Sequence, residues 1–305
     1  MFVLVVLMIL FSFTSPYFLT LRNLTNIITQ NTYFIIVAIG LSFVMIGGGI
    51  DLSVGYQMSL VGVITAMLMV VYQFPVWLSV PLGLLLGTCL GFLNGVIVSN
   101  LKVFPLIATL ATSIVFQGIS YMISKANTFR SYPDEFLWLS RGKFFGMPFD
   151  VSLALAIAIL VSIVYSETVF GFRLMALGGN EEASRLSGIG IRKMKISLYT
   201  ICGFFTAIGT MVMISKANTT SSSFGPGTEF IVLTAAIVGG ISFKGGEGNI
   251  PALIAGVFIL AVLGNGMQLA GWGTYAQFIV QGLILLGAVA FDEYQRNAKN
   301  FRQKN

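Results

Sequence analysis

The chain has 305 residues, of which 56% are hydrophobic and 9% are charged, and its formal net charge is +6. Soluble domains carry about a quarter charged residues and under half apolar ones, and a water-soluble fold of this length has too little interior for so much apolar surface. The composition therefore excludes a soluble enzyme, a disordered chain and a nucleic-acid-binding domain. It predicts a protein that lies in a lipid bilayer.

Ten apolar runs are long enough, or nearly so, to cross a bilayer, which takes about 20 helical residues. They predict an all-α polytopic protein with about ten transmembrane helices in a single domain, residues 1–305. The first run starts at Met1 without a basic segment, so it is not a signal peptide, and we expect its helix to be slightly truncated or to start at the membrane surface. The runs are 2–14, 32–50, 52–72, 75–99, 104–123, 150–167, 196–216, 230–243, 251–269 and 274–291.

Ten spans place both termini on one side, and the basic residues indicate which side. With the N-terminus inside, eleven lysines and arginines lie in inner loops and the tail, against six outside. Because basic residues collect on the cytoplasmic side, we expect both termini to be cytoplasmic. The long outer loop is then about 124–149, either an interfacial segment or a docking surface for an external partner, and the long inner loop is about 168–195.

Residues 47–55 (GGGIDLSVG) interrupt an apolar stretch, and Asp51 is the only charge between Arg22 and Lys102. Two interpretations are open. Asp51 and Ser53 cap the following helix, or they belong to a substrate path or gate, since an ionisable residue near the membrane is commonly functional.

Gly83, Gly87, Gly91 and Gly95 recur at four-residue spacing in the fourth run. Such glycines form a groove on one helix face and predict close packing of another helix. Asn94, beside the groove, either makes a structural hydrogen bond or lines a translocation path.

The inner loop contains one short, delimited helix at 178–188 (GGNEEASRLSG). Asn180 is a good N-cap, Glu181 and Glu182 favour the positive helix start, and Gly188 supplies a left-handed stop. A free helix of two turns is marginal in water. It is therefore held either by its own protein or by a partner on the cytoplasmic side into which it inserts.

Other features narrow the chemistry. Histidine is absent, which excludes serine and zinc intramembrane proteases, and we expect neither catalytic residues nor a metal site. No phosphate-binding loop occurs, so the chain does not bind ATP itself. Cys89 and Cys202 predict two buried free thiols, and residues 218–223 predict a plain loop. The Gly-Gly-Ile triplets at 48–50 and 239–241 leave an internal duplication open.

These motifs together resemble the permease subunits of ribose/galactose/xylose-type bacterial ABC importers (binding-protein-dependent transport family 2), which also include autoinducer-2 permeases. The matching stretches run in family order over almost the whole chain. They are 48–55 (GGIDLSVG), 94–95 (NG), 105–112 (PLIATLAT), 176–189 (ALGGNEEASRLSGI), 236–248 (AIVGGISFKGGEG) and 264–266 (GNG).

The resemblance implies a vitamin-B12-importer-like (type II) permease fold in the bacterial inner membrane. It also implies a second permease chain, identical or paralogous, a periplasmic sugar-binding protein, and ATPase subunits that use the ATP and Mg that this chain does not bind. The helix at 178–188 matches the E-A-x-x-x-x-G coupling motif that sits in a cleft of the ATPase. The implied coupling residues are Gly179, Asn180, Glu181, Glu182, Ala183, Arg185 and Gly188.

The polar residues of the spans suit a neutral polyol and offer little to an ion, although they could equally join helices. The candidate path residues are Asp51, Ser53, Asn94, Thr109, Thr112 and Gln117. We expect a non-enzymatic monosaccharide permease. The alternatives are a permease for autoinducer-2, a branched-chain amino acid or another small solute, and an ion-driven secondary transporter, for which only Asp51 is a mid-span candidate.

Overall fold

The computed structural model describes residues 2–304, with side chains for residues 3–294. Helices dominate this part of the chain, and its four strands have two residues each. The helices are α1 (Phe2–Thr14), α2 (Leu21–Gln30), α3 (Thr32–Ile46), α4 (Val54–Val70), α5 (Val76–Asn100), α6 (Pro105–Ser124), α7 (Asp134–Arg141), α8 (Phe149–Glu167), α9 (Val169–Gly179), α10 (Glu181–Leu186), α11 (Ile191–Ala217), α12 (Thr228–Val238), α13 (Ile250–Leu269) and α14 (Thr274–Lys304). The strands are β1 (Phe129–Arg130), β2 (Lys143–Phe144), β3 (Met147–Pro148) and β4 (Thr219–Thr220).

Seven helical segments of the described chain are long and apolar enough to cross a membrane. One of them, Leu21–Ile46, joins α2 to α3, so residues 21–30 extend a span that we expected to begin at 32. The predicted runs 2–14, 52–72 and 230–243 correspond to shorter apolar helices. The last of these is short because Gly239 and Gly240 end α12 after 11 residues.

Helices α3 and α11 form the centre of the molecule. α3 is apolar all round and buried from Ile35 to Ile46, as expected for a helix surrounded by other helices. It packs against α11, α12 and α8, and α11 in turn packs closely along α5.

The predicted glycine groove on α5 is the contact with α11. Gly83, Gly87, Gly91 and Gly95 are all buried, and a β-carbon on Gly87 would lie 2.6 Å from Cβ of Ala207 on α11. In lipid, close approach of backbones is a main source of helix association. The same geometry overturns the prediction that both thiols are buried: Cys202 is buried, but Cys89 is exposed on the face of α5 opposite the groove.

Both Gly-Gly-Ile triplets lie at helix ends, but they are one residue out of register, because the left-handed glycine is the first residue of one triplet and the second of the other. Gly48 (φ +80°) ends α3 and Gly240 (φ +83°) ends α12. In each case the next residue donates its N–H to the carbonyl five residues earlier, at 2.9 Å. This is the hydrogen-bond pattern of a Schellman motif, in which glycine adopts the left-handed conformation at low cost. The similarity is local, and the internal duplication stays open.

The expectation of a plain loop at 218–223 is wrong. Thr219 and Thr220 form β4, which pairs with β1. Ser222 is buried, its carbonyl accepts a hydrogen bond from Ser59 Oγ (2.8 Å), and its hydroxyl bonds Ser124 Oγ (2.7 Å). Hydroxyl-rich sequence here satisfies buried polar groups instead of facing solvent.

The predicted outer loop at 124–149 contains β1, α7 and a hairpin of β2 with β3. Tyr132 and Phe136 are buried, whereas Trp138 and Phe144 are each 51% exposed and Phe145 is 90% exposed. The loop therefore packs one set of aromatic rings on the protein and presents another outward.

Candidate functional site

The short helix α10 has the start and stop that the sequence predicts. Asn180 Oδ1 accepts a hydrogen bond from Ala183 N at 2.9 Å, which satisfies one of the free N–H groups of the helix start. Gly188 has φ +83°, as the predicted left-handed stop requires. The helix is mostly exposed, and Leu186 is 77% exposed. It therefore forms a short, capped and exposed surface.

Residues of α10 form two ion pairs. Glu182 binds Arg185 within the helix (2.5 Å), and Glu181 binds Lys195 on α11 (2.7 Å). Exposed pairs of this kind contribute little to stability, because solvent screens the charges. That is too little to fix the position of a six-residue helix, so other contacts must hold it.

Backbone contacts at the end of α9 supply that anchor. Gly246 donates its N–H to the carbonyl of Ile46, the last residue of α3, at 2.8 Å. A β-carbon on Gly178 would overlap the same carbonyl, and one on Gly245 would lie 2.7 Å from Cα of Gly48. We call Gly48, Gly178, Gly179, Gly245 and Gly246 the glycine junction. It joins the segment before α10 directly to the end of α3 without intervening side chains.

A buried polar cluster begins shortly after Gly48 of the glycine junction. Asp51, Ser53, Gln57 and Asn94 are each at most 1% exposed. Asp51 Oδ1 accepts hydrogen bonds from Ser53 N (2.9 Å) and Oγ (2.6 Å). Ser53 Oγ accepts from Gln57 Nε2 and Asn94 Nδ2, both at 2.7 Å. The polar cluster thus ties the break between α3 and α4 to α5.

The capping interpretation is correct for the position of Ser53 but wrong for its side chain. Ser53 is the N-cap residue of α4, yet its side chain makes no cap hydrogen bond, because its hydroxyl is engaged with Asp51, Gln57 and Asn94. The structural hydrogen bond considered for Asn94 is present.

The structure brings together only part of the predicted path. Thr109 Oγ1 accepts from Leu52 N (3.2 Å) and so joins the edge of the polar cluster. Thr112 donates to Thr109 O within its own helix (3.1 Å), and Gln117 is half-buried on α6. Gln57 was missed, although its position four residues after Ser53 on one helix is a usable signal.

The polar cluster retains unused hydrogen-bonding capacity. Within the described residues, Asp51 Oδ2, Gln57 Oε1 and Asn94 Oδ1 are buried acceptors without a partner. Buried polar groups in this state are costly. The cluster therefore holds three oxygens with unused capacity to accept hydrogen bonds.

The sequence profile of the family described as "Branched-chain amino acid transport system / permease component" matches residues 23–289. The chain belongs to this family. The permease is 35% identical over 284 residues to the L-arabinose transport system permease protein of Escherichia coli K12, covering 93% of this chain and 86% of the relative. It is 33% identical over 295 residues to the ribose import permease protein of Haemophilus influenzae, covering 95% and 91%.

A third relative is the galactose/methyl galactoside import permease protein of Escherichia coli K12, which is 32% identical over 308 residues and covers 95% and 92% of the two chains. No solved structure matches the permease. The resemblance to sugar ABC importer permeases is therefore confirmed, and the chain is a multi-pass membrane protein with a transport function.

Proposed function

We propose that the permease is the membrane subunit of an ATP-driven importer for a monosaccharide of the arabinose, ribose or galactose class. In this proposal residues 1–305 form one transmembrane domain of about ten spans with the type II importer fold, in the bacterial inner membrane with both termini cytoplasmic. A second permease chain completes the path, a periplasmic binding protein delivers the sugar, and ATPase subunits bind ATP and Mg.

The observation that carries the coupling part of this proposal is the attachment of α10. Its exposed surface is preformed, and the glycine junction joins the preceding residues to the end of α3. Because those contacts are between backbones, a displacement of α10 by an ATPase is transmitted with no flexible side chain to absorb it. The coupling residues are those from Gly179 to Gly188 named above.

The displacement acts on the break between α3 and α4, which contains Asp51 and Ser53. ATP binding can shift the permease between inward-open and outward-open states only if the ATPase binds α10 with different affinity in the two. In the conformation described, Asp51, Ser53, Asn94 and Thr109 are packed between helices. We place them, with Thr112 and Gln117, on the part of the path that opens when these helices separate.

The solutes named for the relatives favour a sugar over an amino acid as the substrate of the permease. The three named above transport arabinose, ribose and galactose according to their names, whereas the family description names branched-chain amino acids. An amino acid carries two full charges that are costly to bury without charged partners, and the polar cluster offers one carboxylate and no cation.

Uptake measurements test the proposal. The permease is expressed with its neighbouring ATPase and binding protein in a bacterium that lacks its own sugar permeases, and uptake of labelled L-arabinose, D-ribose, D-galactose and L-leucine is followed. Uptake of a sugar that requires all three components supports the proposal. Uptake of leucine alone, or sugar uptake that persists without the ATPase and depends on an ion gradient, contradicts it.

A further inference from the structure

Two adjoining cavities lie at the end of the helices opposite α10. Both border the start of α3 at Phe34, whereas Ile46, at the other end of α3, contacts the glycine junction. The rise along α3 from Phe34 to Ile46 separates the two levels by about 18 Å. The smaller cavity has a volume of 310 Å³ and the larger 1040 Å³, and Gln30, Phe34 and Gln281 belong to both.

The smaller cavity, which we call the amide cavity, is lined by seven side-chain amides from α2, Asn31, α13 and α14, and no charged side chain is among its lining residues. One amide, Asn265, exchanges hydrogen bonds with Asn23 at 2.8 and 2.9 Å. Within the part of the chain that the structure describes, Gln30, Gln268 and Gln281 make no hydrogen bond through their amides. These groups are therefore available to a ligand.

Gln30 and Gln268 are exposed near the ends of α2 and α13, and Gln281 is half-buried near the start of α14. A polar side chain in a membrane protein pairs with another group or faces a water-filled space. Each amide presents both donors and an acceptor, which is the set that a hydroxyl group uses. A cavity with seven amides and no charge suits a neutral polyhydroxyl compound and lacks partners for an ion or a zwitterion.

The larger cavity adds aromatic surface beside the polar lining of the amide cavity. Phe34, Phe278, Tyr33, Phe224 and Phe230 contribute aromatic surface to its wall. Small-molecule sites combine apolar and aromatic walls with a few placed polar groups. Among its lining residues the charged one is Lys216, and its ammonium is held by Asp150 at 2.6 Å, so it is not free to select an anion.

We propose that the amide cavity receives the neutral monosaccharide at the outer end of the path, with Gln30 and Gln281 donating to and accepting from its hydroxyls and Phe34 and Phe278 packing against its ring. This rests on the proposed function, and it places first contact with sugar far from the polar cluster around Asp51. Its volume lies within the range of about 300–1,000 Å³ typical of ligand pockets.

Transport by amide variants provides the first test. Gln281→Leu and Gln30→Leu should each lower sugar uptake about three- to tenfold at low sugar concentration, the loss expected for one neutral hydrogen bond. Gln281→Asn, which keeps an amide, should retain more uptake than Gln281→Leu. ATP hydrolysis stimulated by the binding protein should persist in all variants, because the ATPase engages the opposite end.

The two proposals fail differently. A wild-type permease that carries no sugar contradicts the proposed function. If the wild-type permease carries sugar and the Gln281→Leu and Gln30→Leu variants take up sugar equally well, only the proposal for the amide cavity is overturned.

Cysteine labelling distinguishes a sugar site from a surface covered by lipid or by a second permease chain. In a Cys89→Ala background, Gln281→Cys should react with a membrane-impermeant maleimide added outside, and the transported sugar with its binding protein should slow the reaction. Ile159→Cys is the control, since Ile159 is 54% exposed on α8 among apolar neighbours and should be shielded by lipid. Absence of labelling at Gln281→Cys overturns the proposal.

Discussion

At the scale of single residues, Gly178 and Gly179 differ sharply although they are adjacent. A β-carbon on Gly178 would overlap the carbonyl oxygen of Ile46 and the amide nitrogen of Gly246, whereas one on Gly179 would meet nothing within 4 Å. Neither has a positive φ, so alanine is compatible with the backbone at both. Within the junction, an added methyl group would therefore clash at Gly178 but would fit at Gly179.

We expect Gly178→Ala to reduce ATP-dependent sugar uptake at least tenfold. The new methyl group forces the end of α9 away from α3, at a cost of about 1–3 kcal/mol typical of overpacking, and α10 then loses its fixed link to the break at Asp51. Uptake in vesicles and ATP hydrolysis are measured in parallel. The control, Gly118→Ala on α6, adds a methyl group in open space outside the coupling residues and the glycine junction, and it should transport like the wild type. Equal uptake by both variants would show that the glycine junction does not transmit the motion.

At the scale of elements, the contact of α5 with α11 depends on glycines that leave no room for a side chain. Gly87 faces Ala207, and a β-carbon on Gly95 would lie 2.8 Å from Cα of Ile196. By contrast, Gly118 on α6 has open space where its β-carbon would be. The same substitution should thus change stability in opposite directions on the two helices.

Gly87→Ala should lower the free energy of unfolding by about 1–3 kcal/mol because the helices must move apart. Gly118→Ala should raise it by up to about 1 kcal/mol, since alanine is the better helix former. Thermal unfolding of the detergent-solubilised permease, followed by size-exclusion chromatography, gives the comparison. A stabilising Gly87→Ala would mean that α5 and α11 have room that the structure does not show.

How well the sequence predicts a feature depends on how far apart along the chain its interacting residues lie. The Asn180 cap, the Gly188 stop and the glycine groove on α5 involve neighbours within one helix, and all three are predicted correctly. The glycine junction unites α3, α9 and the loop after α12, and the amide cavity unites α2, α13 and α14. Such sites depend on the packing of distant segments, which composition and spacing do not specify.

The hydrogen bonds between residues that stand out in the sequence also depend on packing. Asp51, Ser53 and Asn94 stand out in the sequence, but their shared hydrogen bonds and the inclusion of Gln57 follow only from the contact of α4 with α5. Gln281 does not stand out in the sequence. Its place in the amide cavity beside Gln30 of α2 follows only from the packing of distant helices.

At the scale of the whole molecule, α10 and the amide cavity lie at opposite ends. α11 shows the separation: Lys195, near its start, binds Glu181 of the α10 helix, and Ser215, near its end, donates to the carbonyl of Phe136 on α7 (3.0 Å). A helix of 27 residues is about 40 Å long. An ATPase bound at α10 is thus remote from α7, which gives a test with a matched charge reversal.

Glu182→Lys should abolish co-purification of the ATPase with the permease. The variant reverses a charge on the exposed face of α10 and replaces the ion pair with Arg185 by repulsion, so both the partner contact and the local helix surface change. Glu135→Lys, a charge reversal at an exposed position on α7, should leave the complex intact because it lies at the far end. Retention of the ATPase by Glu182→Lys and its loss in Glu135→Lys would place the ATPase at the α7 end and reverse the proposed orientation. Loss in Glu182→Lys alone, with both variants still folded, would place the ATPase at the α10 end, opposite the amide cavity.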